Sequence, residues 1–319
     1  MGPNTTNKDE ERKRKALQTE RSCPRKKKRD WPEDLEGGKS TTPGYAQKAN
    51  NNVTLGSQVS LRFGSKKITT TISEIIYDEG KQFVMATQNL VIKHDFGDVL
   101  PSNCTIEKGS WAGHCAVLVA PKGIPMNEYL NGVSMDGRED LALKLLAEVG
   151  AVHDDDVIHN DIKLENVIVL QRGDYSIVKL IDFEISIERD STLFSNAGTT
   201  GYFPPEKEKN EPITTKSDVY SLGIVLGEIL HGSLFEKGKK LDDLCEWLET
   251  CNNGWKNQIA WKALIKEMVE EKQSKRPTIR DCFNKLAEMK IIGSREGFEL
   301  QSQAKEKISW STILTFNYS

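Results

Sequence analysis

The chain has no hydrophobic run close to the roughly 20 residues that span a bilayer, so none of its 319 residues is expected in a membrane. It has no hydrophobic N-terminal segment of the secretory type, which argues against export by that route. Its six cysteines (Cys23, Cys104, Cys115, Cys245, Cys251 and Cys282) form no C-x-x-C pair and no regular framework. Neither a zinc site nor a disulfide scaffold is expected from that scatter, and reduced thiols in a cytosolic or nuclear protein fit better. Apolar residues are not scarce: at 37% they can support a core, and 29% charged residues make a polar surface. The length suits one bilobal domain with tails, or two small domains.

Positive charge is in short supply outside the N-terminus. Residues 1–30 hold 11 Lys+Arg against 5 Asp+Glu, a balance of +6. The remainder holds 33 basic and 42 acidic residues, a balance of −9. A folded body of that sign is a poor nucleic-acid binder, and none is expected for it. Residues 1–58 are polar and show no sustained apolar period, which predicts a disordered basic tail. Two clusters lie in it, Arg12–Lys15 and, within Pro24–Arg29, Arg25–Arg29. Their spacing suits a bipartite nuclear localisation signal that an import receptor reads through acidic grooves, placing the protein in the nucleus or in nucleus and cytoplasm. The plainer alternative is a solubilising or phosphate-binding tail.

Chemistry concentrates in VIHNDIKLENVIVL (Val157–Leu170) and KLIDFEIS (Lys179–Ser186). Two hydrophobic runs with strand character flank a Gly-Asp turn. They carry Asp161, Asn166 and Asp182 at their ends, with Lys163 among them. One carboxylate to orient a hydroxyl, two oxygen ligands for magnesium and a cation for a phosphate are what phosphoryl transfer requires. Any one of these residues alone is more often structural. The combination H-x-D-x-K-x-x-N, a strand and D-F resembles the catalytic loop and metal-binding motif of the protein kinase family.

The resemblance implies an α+β, bilobal protein-kinase-like fold, with a small β-rich N-lobe (residues 59–120) and a larger helical C-lobe (residues 124–292). Residues 293–319 are then a C-terminal tail. In the N-lobe, KKITTTISEIIYD, QFVMAT and LVIKHD would be the first three strands, their β-branched bias suiting that assignment. Lys93 in LVIK matches the lysine that holds the α- and β-phosphates of ATP. Val119 to Pro121, after the strand CAVLVA, matches the hinge that binds the adenine edge. Ile168 would lie beneath the adenine ring.

Two family features are missing. No G-x-G-x-x-G loop precedes Lys93; only Gly80 stands in the turn Asp78-Glu79-Gly80-Lys81, so the phosphate lid must be unusual. Only about twenty residues separate Lys93 from CAVLVA, where the family has a long helix whose glutamate pairs with the lysine. Glu107 is the one glutamate there, in a segment whose Pro101 and Gly109 suit a helix poorly.

Downstream, helical spacing predicts a helix over Gly137–His153. Gly198–Glu206 (GTTGYFPPE) resembles the family's G-T-x-x-Y-x-A-P-E, which implies that Thr199 contacts Asp161 and Lys163. TTKSDVYSLGIVLGEIL resembles the family helix whose buried aspartate, here Asp218, holds the catalytic loop, with Thr214 or Thr215 and Ser217 as capping residues. Lys275-Arg276-Pro277-Thr278 implies an Arg276–Glu206 ion pair. Further helices are expected at Leu241–Thr250, Gln258–Glu271 and Ile279–Met289.

The expected function is that of an ATP- and Mg2+-dependent serine/threonine protein kinase. Asp161, Lys163 and Asn166 would be catalytic, and Asn166 and Asp182 would hold the metal. Lys93, Gly80, Val119, Pro121, Ile168 and Asp182 would bind the nucleotide, with a protein as substrate. Asn160 stands where the family has the arginine that captures activation-loop phosphate, so activity without loop phosphorylation is expected. Glu184 replaces the glycine of D-F-G, which should restrict flipping of Phe183. One alternative is a catalytically weak pseudokinase acting as a nuclear binding or scaffold module. Another is a small-molecule phosphotransferase, which GTTGYFPPE, Asp218 and Arg276 argue against.

Overall fold

A computed structural model of the chain describes residues 56, 58–63, 66–72, 74–78, 82–86, 90–93, 99–102, 107–111, 114–121, 123–172, 175–189, 197–231, 235–236, 239–250 and 254–306. Gly80 and both basic clusters, Arg12–Lys15 and Arg25–Arg29, lie outside the described residues.

Seven strands come first: β1 (Gln58–Phe63), β2 (Lys66–Thr71), β3 (Glu74–Asp78), β4 (Gln82–Ala86), β5 (Leu90–Lys93), β6 (Glu107–Trp111) and β7 (His114–Pro121). They form one antiparallel sheet in the order β2-β1-β6-β7-β5-β4-β3. The stretch Lys66–Asp78, expected as one strand, is two. All of β2 is used in pairing with β1, from Phe63↔Lys66 to Gln58↔Thr71. β3 pairs with β4 at the opposite edge, so the chain must break between them, where Ile72 is buried. β1 begins at Gln58, one residue inside the expected tail. Among the described residues after Lys93, 107–111 form a strand. Glu107 opens β6, which pairs with β1 and β7 and lies on the far side of β7 from β5.

The second part opens with β8 (Ile124–Pro125), the single turn α1 (Met126–Tyr129) and α2 (Met135–Asp154). Ser134 caps α2, its hydroxyl accepting from the Gly137 N–H at 3.3 Å. Leu141, Leu145, Leu146, Val149 and Val152 recur at helical spacing and are buried. Then come β9 (Val157–Ile158), the hairpin β10 (Val167–Arg172) and β11 (Tyr175–Leu180), β12 (Ile187–Glu188) and the short α3 (Pro205–Glu208). α4 (Thr215–His231) is buried along nearly its whole length, from Ser217 to Leu230. A helix that is apolar on all sides belongs at the centre of a helical layer, and α4 packs against α2. Thr214 and Ser217 cap it reciprocally: the Thr214 hydroxyl accepts from Lys216 N, and the Ser217 hydroxyl accepts from Thr214 N.

The remaining helices are α5 (Lys240–Thr250), α6 (Gln258–Met268), α7 (Ile279–Glu288) and α8 (Ser294–Ala304). α6 stops three residues before the expected Glu271. The carbonyls of Glu270 and Glu271 turn out of helical register to accept from Arg276 at 2.7 and 3.1 Å. The expected tail is partly a helix of the C-lobe. α8 lies on α2 and β11, with Leu300 and Ala304 packed on the core, Tyr175 donating to Gln303, and Lys179 donating to the Ala304 carbonyl. Among the described residues, no helix is long and apolar enough to cross a membrane.

Candidate active site

The β10–β11 hairpin positions the site. Its register runs from Val167↔Leu180 to Arg172↔Tyr175 without interruption. The residues just outside that register, Asn166 and Ile181, are therefore neighbours, and the Ile181 N–H donates to the Asn166 carbonyl at 2.9 Å. Asp182 follows directly, with φ 65°. Aspartate tolerates this left-handed conformation better than most residues. β9 pairs with β12 (Ile158↔Ile187), closing the loop from the other side.

Between β9 and β10, the catalytic-loop backbone hangs on one buried carboxylate. Asp218 Oδ2 accepts from the His159 N–H at 2.8 Å and Oδ1 from the Asn160 N–H at 2.9 Å. His153, at the end of α2, places Nε2 3.0 Å from Oδ2. Burial alone would raise the Asp218 pKa, but His153 and these hydrogen bonds outweigh it and hold the carboxyl below the ordinary range. His159 is buried, stacks edge-on against Phe183 at 4.7 Å, donates from Nε2 to the Ile181 carbonyl and accepts at Nδ1 from Asp161 N. Burial pushes its pKa down despite the surrounding carboxylates, so it is a neutral packing and hydrogen-bonding group.

Asp161, Lys163, Asn166 and Thr199 meet. Lys163 Nζ donates to Asp161 Oδ2 at 2.9 Å and to the Thr199 hydroxyl at 2.8 Å. Asn166 Nδ2 donates to the Asp161 carbonyl at 2.9 Å and to Oδ2 at 3.1 Å. Burial raises the Asp161 pKa, but the bonds from Lys163 and Thr199 and the lysine charge win, holding the carboxyl below its ordinary value. It is ionised at neutral pH and able to accept a hydroxyl proton. With Nδ2 committed to Asp161, the oxygen of the Asn166 amide is the atom left for a cation. An amide oxygen and the Asp182 carboxylate are hard donors of the kind that would hold a divalent cation.

On the nucleotide side, β5 carries Lys93 opposite Leu118, while Val119 and Pro121 of β7 pair with Ile92 and Leu90. Just past the expected hinge, Gly123 lies against Ile168: a Cβ there would stand 2.7 Å from the Ile168 Cβ. Ile168 itself is buried and pairs with Pro125 of β8. The loop between β9 and β10 thus brings Asp161, Lys163 and Asn166 together, with Ile168 two residues beyond, and the Ile181–Asn166 bond sets Asp182 on the segment beside it. Glu184 keeps a φ outside the positive region, so the missing glycine is not needed by this backbone.

The segment after Gly198 is fastened from below. Arg276 grips Glu206 with both terminal nitrogens, at 2.7 and 2.8 Å, and the carboxylate also accepts from Ser217 and Gln273. Tyr202 donates to the buried Glu228 at 2.9 Å. Two contributors carried no motif: His153, one residue from a helix end, and Lys207, which follows Pro-Pro-Glu and donates to the Asn160 carbonyl at 2.7 Å.

A protein kinase domain model matches residues 121–286, just over half of the chain. The chain belongs to the protein kinase family. It is 30% identical over 159 residues to the MAP kinase kinase MKK1/SSP32 of Saccharomyces cerevisiae, a match covering 45% of this chain and 31% of that protein. It is 31% identical over 159 residues to a probable serine/threonine-protein kinase 2 of Plasmodium falciparum, covering 48% and 31%. A third relative, the probable serine/threonine-protein kinase PknB of Lactococcus lactis, is 29% identical over 120 residues, or 35% of this chain and 18% of that protein. The chain therefore spans less than a third of the length of these relatives. The matched domain begins at Pro121, so the seven-stranded sheet up to that residue falls outside the family match. As a kinase domain, the fold implies a nucleoside triphosphate and a divalent metal in general terms.

Proposed function

We propose that this kinase transfers the γ-phosphate of ATP to serine or threonine hydroxyls of a protein, with Mg2+ as the metal. The observation that carries the reading is the Asp161–Lys163–Thr199–Asn166 cluster. Asp161 Oδ2 is ionised, already held by Lys163 and Asn166, and bordered by the threonine of the GTTG segment. In the proposed step the substrate hydroxyl oxygen forms a bond to the γ-phosphorus, the bond from that phosphorus to the β–γ bridging oxygen breaks, and ADP leaves. The hydroxyl proton passes to Asp161 Oδ2 late in the transfer. Lys163 offsets charge on the moving phosphate, and Lys93 holds the α- and β-phosphates. Asn166 and Asp182 would hold Mg2+, which neutralises the phosphate oxygens when bound. Val119, Pro121 and Ile168 would border the adenine, and Gly80 the phosphates.

Transfer from radiolabelled ATP to a generic protein substrate tests the reading. Asp161→Ala and Asp182→Ala should each abolish label transfer, the first by about 10²–10⁴-fold if proton handling is its role. Wild-type protein that binds magnesium–ATP without transferring label supports the second reading, a scaffold pseudokinase. What favours that second reading is β6, a strand where the family has its glutamate-bearing helix. The basic clusters of the tail are proposed to engage an import receptor, giving nuclear residence. Loss of nuclear accumulation when Arg25–Arg29 are replaced by alanine is the corresponding check.

A further inference from the structure

Lys207 occupies a position that local rules disfavour. It belongs to the single turn of α3, and its side chain is buried, where an ammonium loses its water. Residues that break local preference in this way commonly do so for a site. Its Nζ donates to two main-chain carbonyls, Asn160 O at 2.7 Å and Ala197 O at 2.8 Å, and stands 5.0 Å from the centre of the Phe203 ring. Burial lowers its pKa, partly offset by Asp218, Asp161 and Glu206.

Both carbonyls belong to segments that chemistry needs aligned. The Asn160 carbonyl is half of the peptide unit whose N–H belongs to Asp161. Asn160 has φ 69° and is held at its N–H by Asp218 and at its side-chain nitrogen by the Ile185 carbonyl. Ala197 precedes Gly198 and Thr199, and Thr199 is the hydroxyl partner of Lys163. Gly198 is fitted to the same contact. Its φ is 126°, and a Cβ there would stand 3.0 Å from the Lys207 Nζ and 3.1 Å from the Asn160 carbonyl oxygen. Two lysines thus tie the same two segments together, Lys163 through side chains and Lys207 through the main chain.

We infer that Lys207 is a positioning residue, a permanent cationic brace that holds the GTTG segment in register with Asp161 and does so without a phosphate. The inference deepens the proposed kinase function and rests on it for the kinetic part of its test. Asn160 removes the family's arginine from the catalytic loop, and Lys207 brings a cation to the carbonyl of that same residue from the following helix.

Lys207→Met retains the length and apolar stem and removes the donor. In full-length protein it should lower kcat about 10²-fold, the scale of an ångström-level misplacement, while KM for ATP stays within about 2-fold, because the brace touches neither nucleotide nor its binding strands. Hydrogen exchange should speed up at the amides of residues 198–202 and remain as in wild type along α4. Lys207→Arg, which keeps a cationic donor, should recover most of the lost kcat, and Lys207→Gln serves in place of Lys207→Met should that variant fail to fold. Unchanged kcat with unchanged exchange in the 198–202 amides, or a rise in KM for ATP that accounts for the whole loss, would overturn the inference. Wild-type protein that transfers no phosphate sinks the kinase reading instead, and the exchange measurement then decides the brace alone.

Discussion

Replacing Arg276 by methionine isolates the ion pair beneath the GTTGYFPPE segment. Arg276 is 1% exposed and Glu206 2% exposed. In Arg276→Met the Glu206 carboxylate keeps Ser217 Oγ at 2.7 Å and Gln273 Nε2 at 3.1 Å, but it loses its only charged partner in those contacts. Breaking a buried pair from one side costs about 3–5 kcal/mol, since it strands the remaining charge. For a domain of this size each kcal/mol moves Tm by about 2–4 °C, so a drop of roughly 6–20 °C is expected by circular dichroism. Adding Glu206→Gln should recover more than half of it, because the stranded charge is then gone. The pH dependence gives an independent reading. Burial raises the Glu206 pKa, but the bonds from Arg276, Ser217 and Gln273 outweigh it, and the folded value lies below the ordinary 4.5. A carboxylate with a depressed folded pKa contributes stability that is present above its unfolded pKa and lost as pH falls through the folded one. In Arg276→Met the balance reverses, and protonation relieves the buried charge. The Tm gap between wild type and variant should therefore shrink as pH falls from 7 towards 4. A gap that stays constant, or a double variant as unstable as the sum of the singles, refutes the assignment of this pair as a charge-coupled anchor.

Three other perturbations separate catalysis from packing. Thr199→Ala removes one of two acceptors from the Lys163 ammonium and should lower kcat/KM about 10-fold, the kinetic weight of one hydrogen bond to a charged group, with Tm little changed; unaltered kinetics would remove Thr199 from the site. Gly223→Ala places a Cβ 2.8 Å from Val269 Cγ1 and 3.0 Å from the Met268 Cβ, where α4 meets the end of α6. Overpacking there should cost roughly 1–3 kcal/mol in urea unfolding, and a neutral result would mean that the two helices part more easily than the contact suggests. Treatment of the purified kinase with a phosphatase should leave label transfer unchanged, because the proposed alignment of Asp161 relies on Lys207, Lys163 and Asp218; a large drop would show that a phosphate completes the site.

The parts of the molecule that were legible in the sequence are those whose chemistry sits in short contiguous strings. His159 to Asn166, Asp182–Phe183, Gly198 to Glu206, Asp218 and Arg276 each sit in a run that demands a particular local backbone. The hairpin register then brings Asn166 and Asp182 together with no long-range choice left open. A helix end was legible where the capping residues were read, as at Thr214 and Ser217, and less so elsewhere: α2 starts at Met135, two residues before the expected Gly137, behind the unread Ser134 cap, and α6 ends early because Arg276 claims the carbonyls of Glu270 and Glu271. The sheet before Pro121 was read least well. β-Branched residues mark Lys66–Asp78 as extended, but propensity says nothing of which neighbour a strand pairs with, and β2 and β3 take opposite edges of the sheet. α8 was missed for a related reason. Its sequence, SREGFELQSQA, is mostly polar, and its anchors, Tyr175 and Lys179, lie more than a hundred residues away.

Asn160 shows how a departure read from the string alone can leave out a partner that only the fold supplies. With asparagine at 160, Lys163 is the cation that the loop's own side chains supply. A second ammonium, from residue 207, reaches the Asn160 carbonyl through the gap that Gly198 leaves. A side chain supplied by the loop itself can meet a phosphate that comes and goes. A lysine buried behind the loop, with its donors spent on two carbonyls, is positioned to hold one arrangement. On the proposed reading the brace at 207 takes the place of a phosphate receiver at 160, and introducing arginine at 160 alone should not confer phosphate control while Lys207 remains.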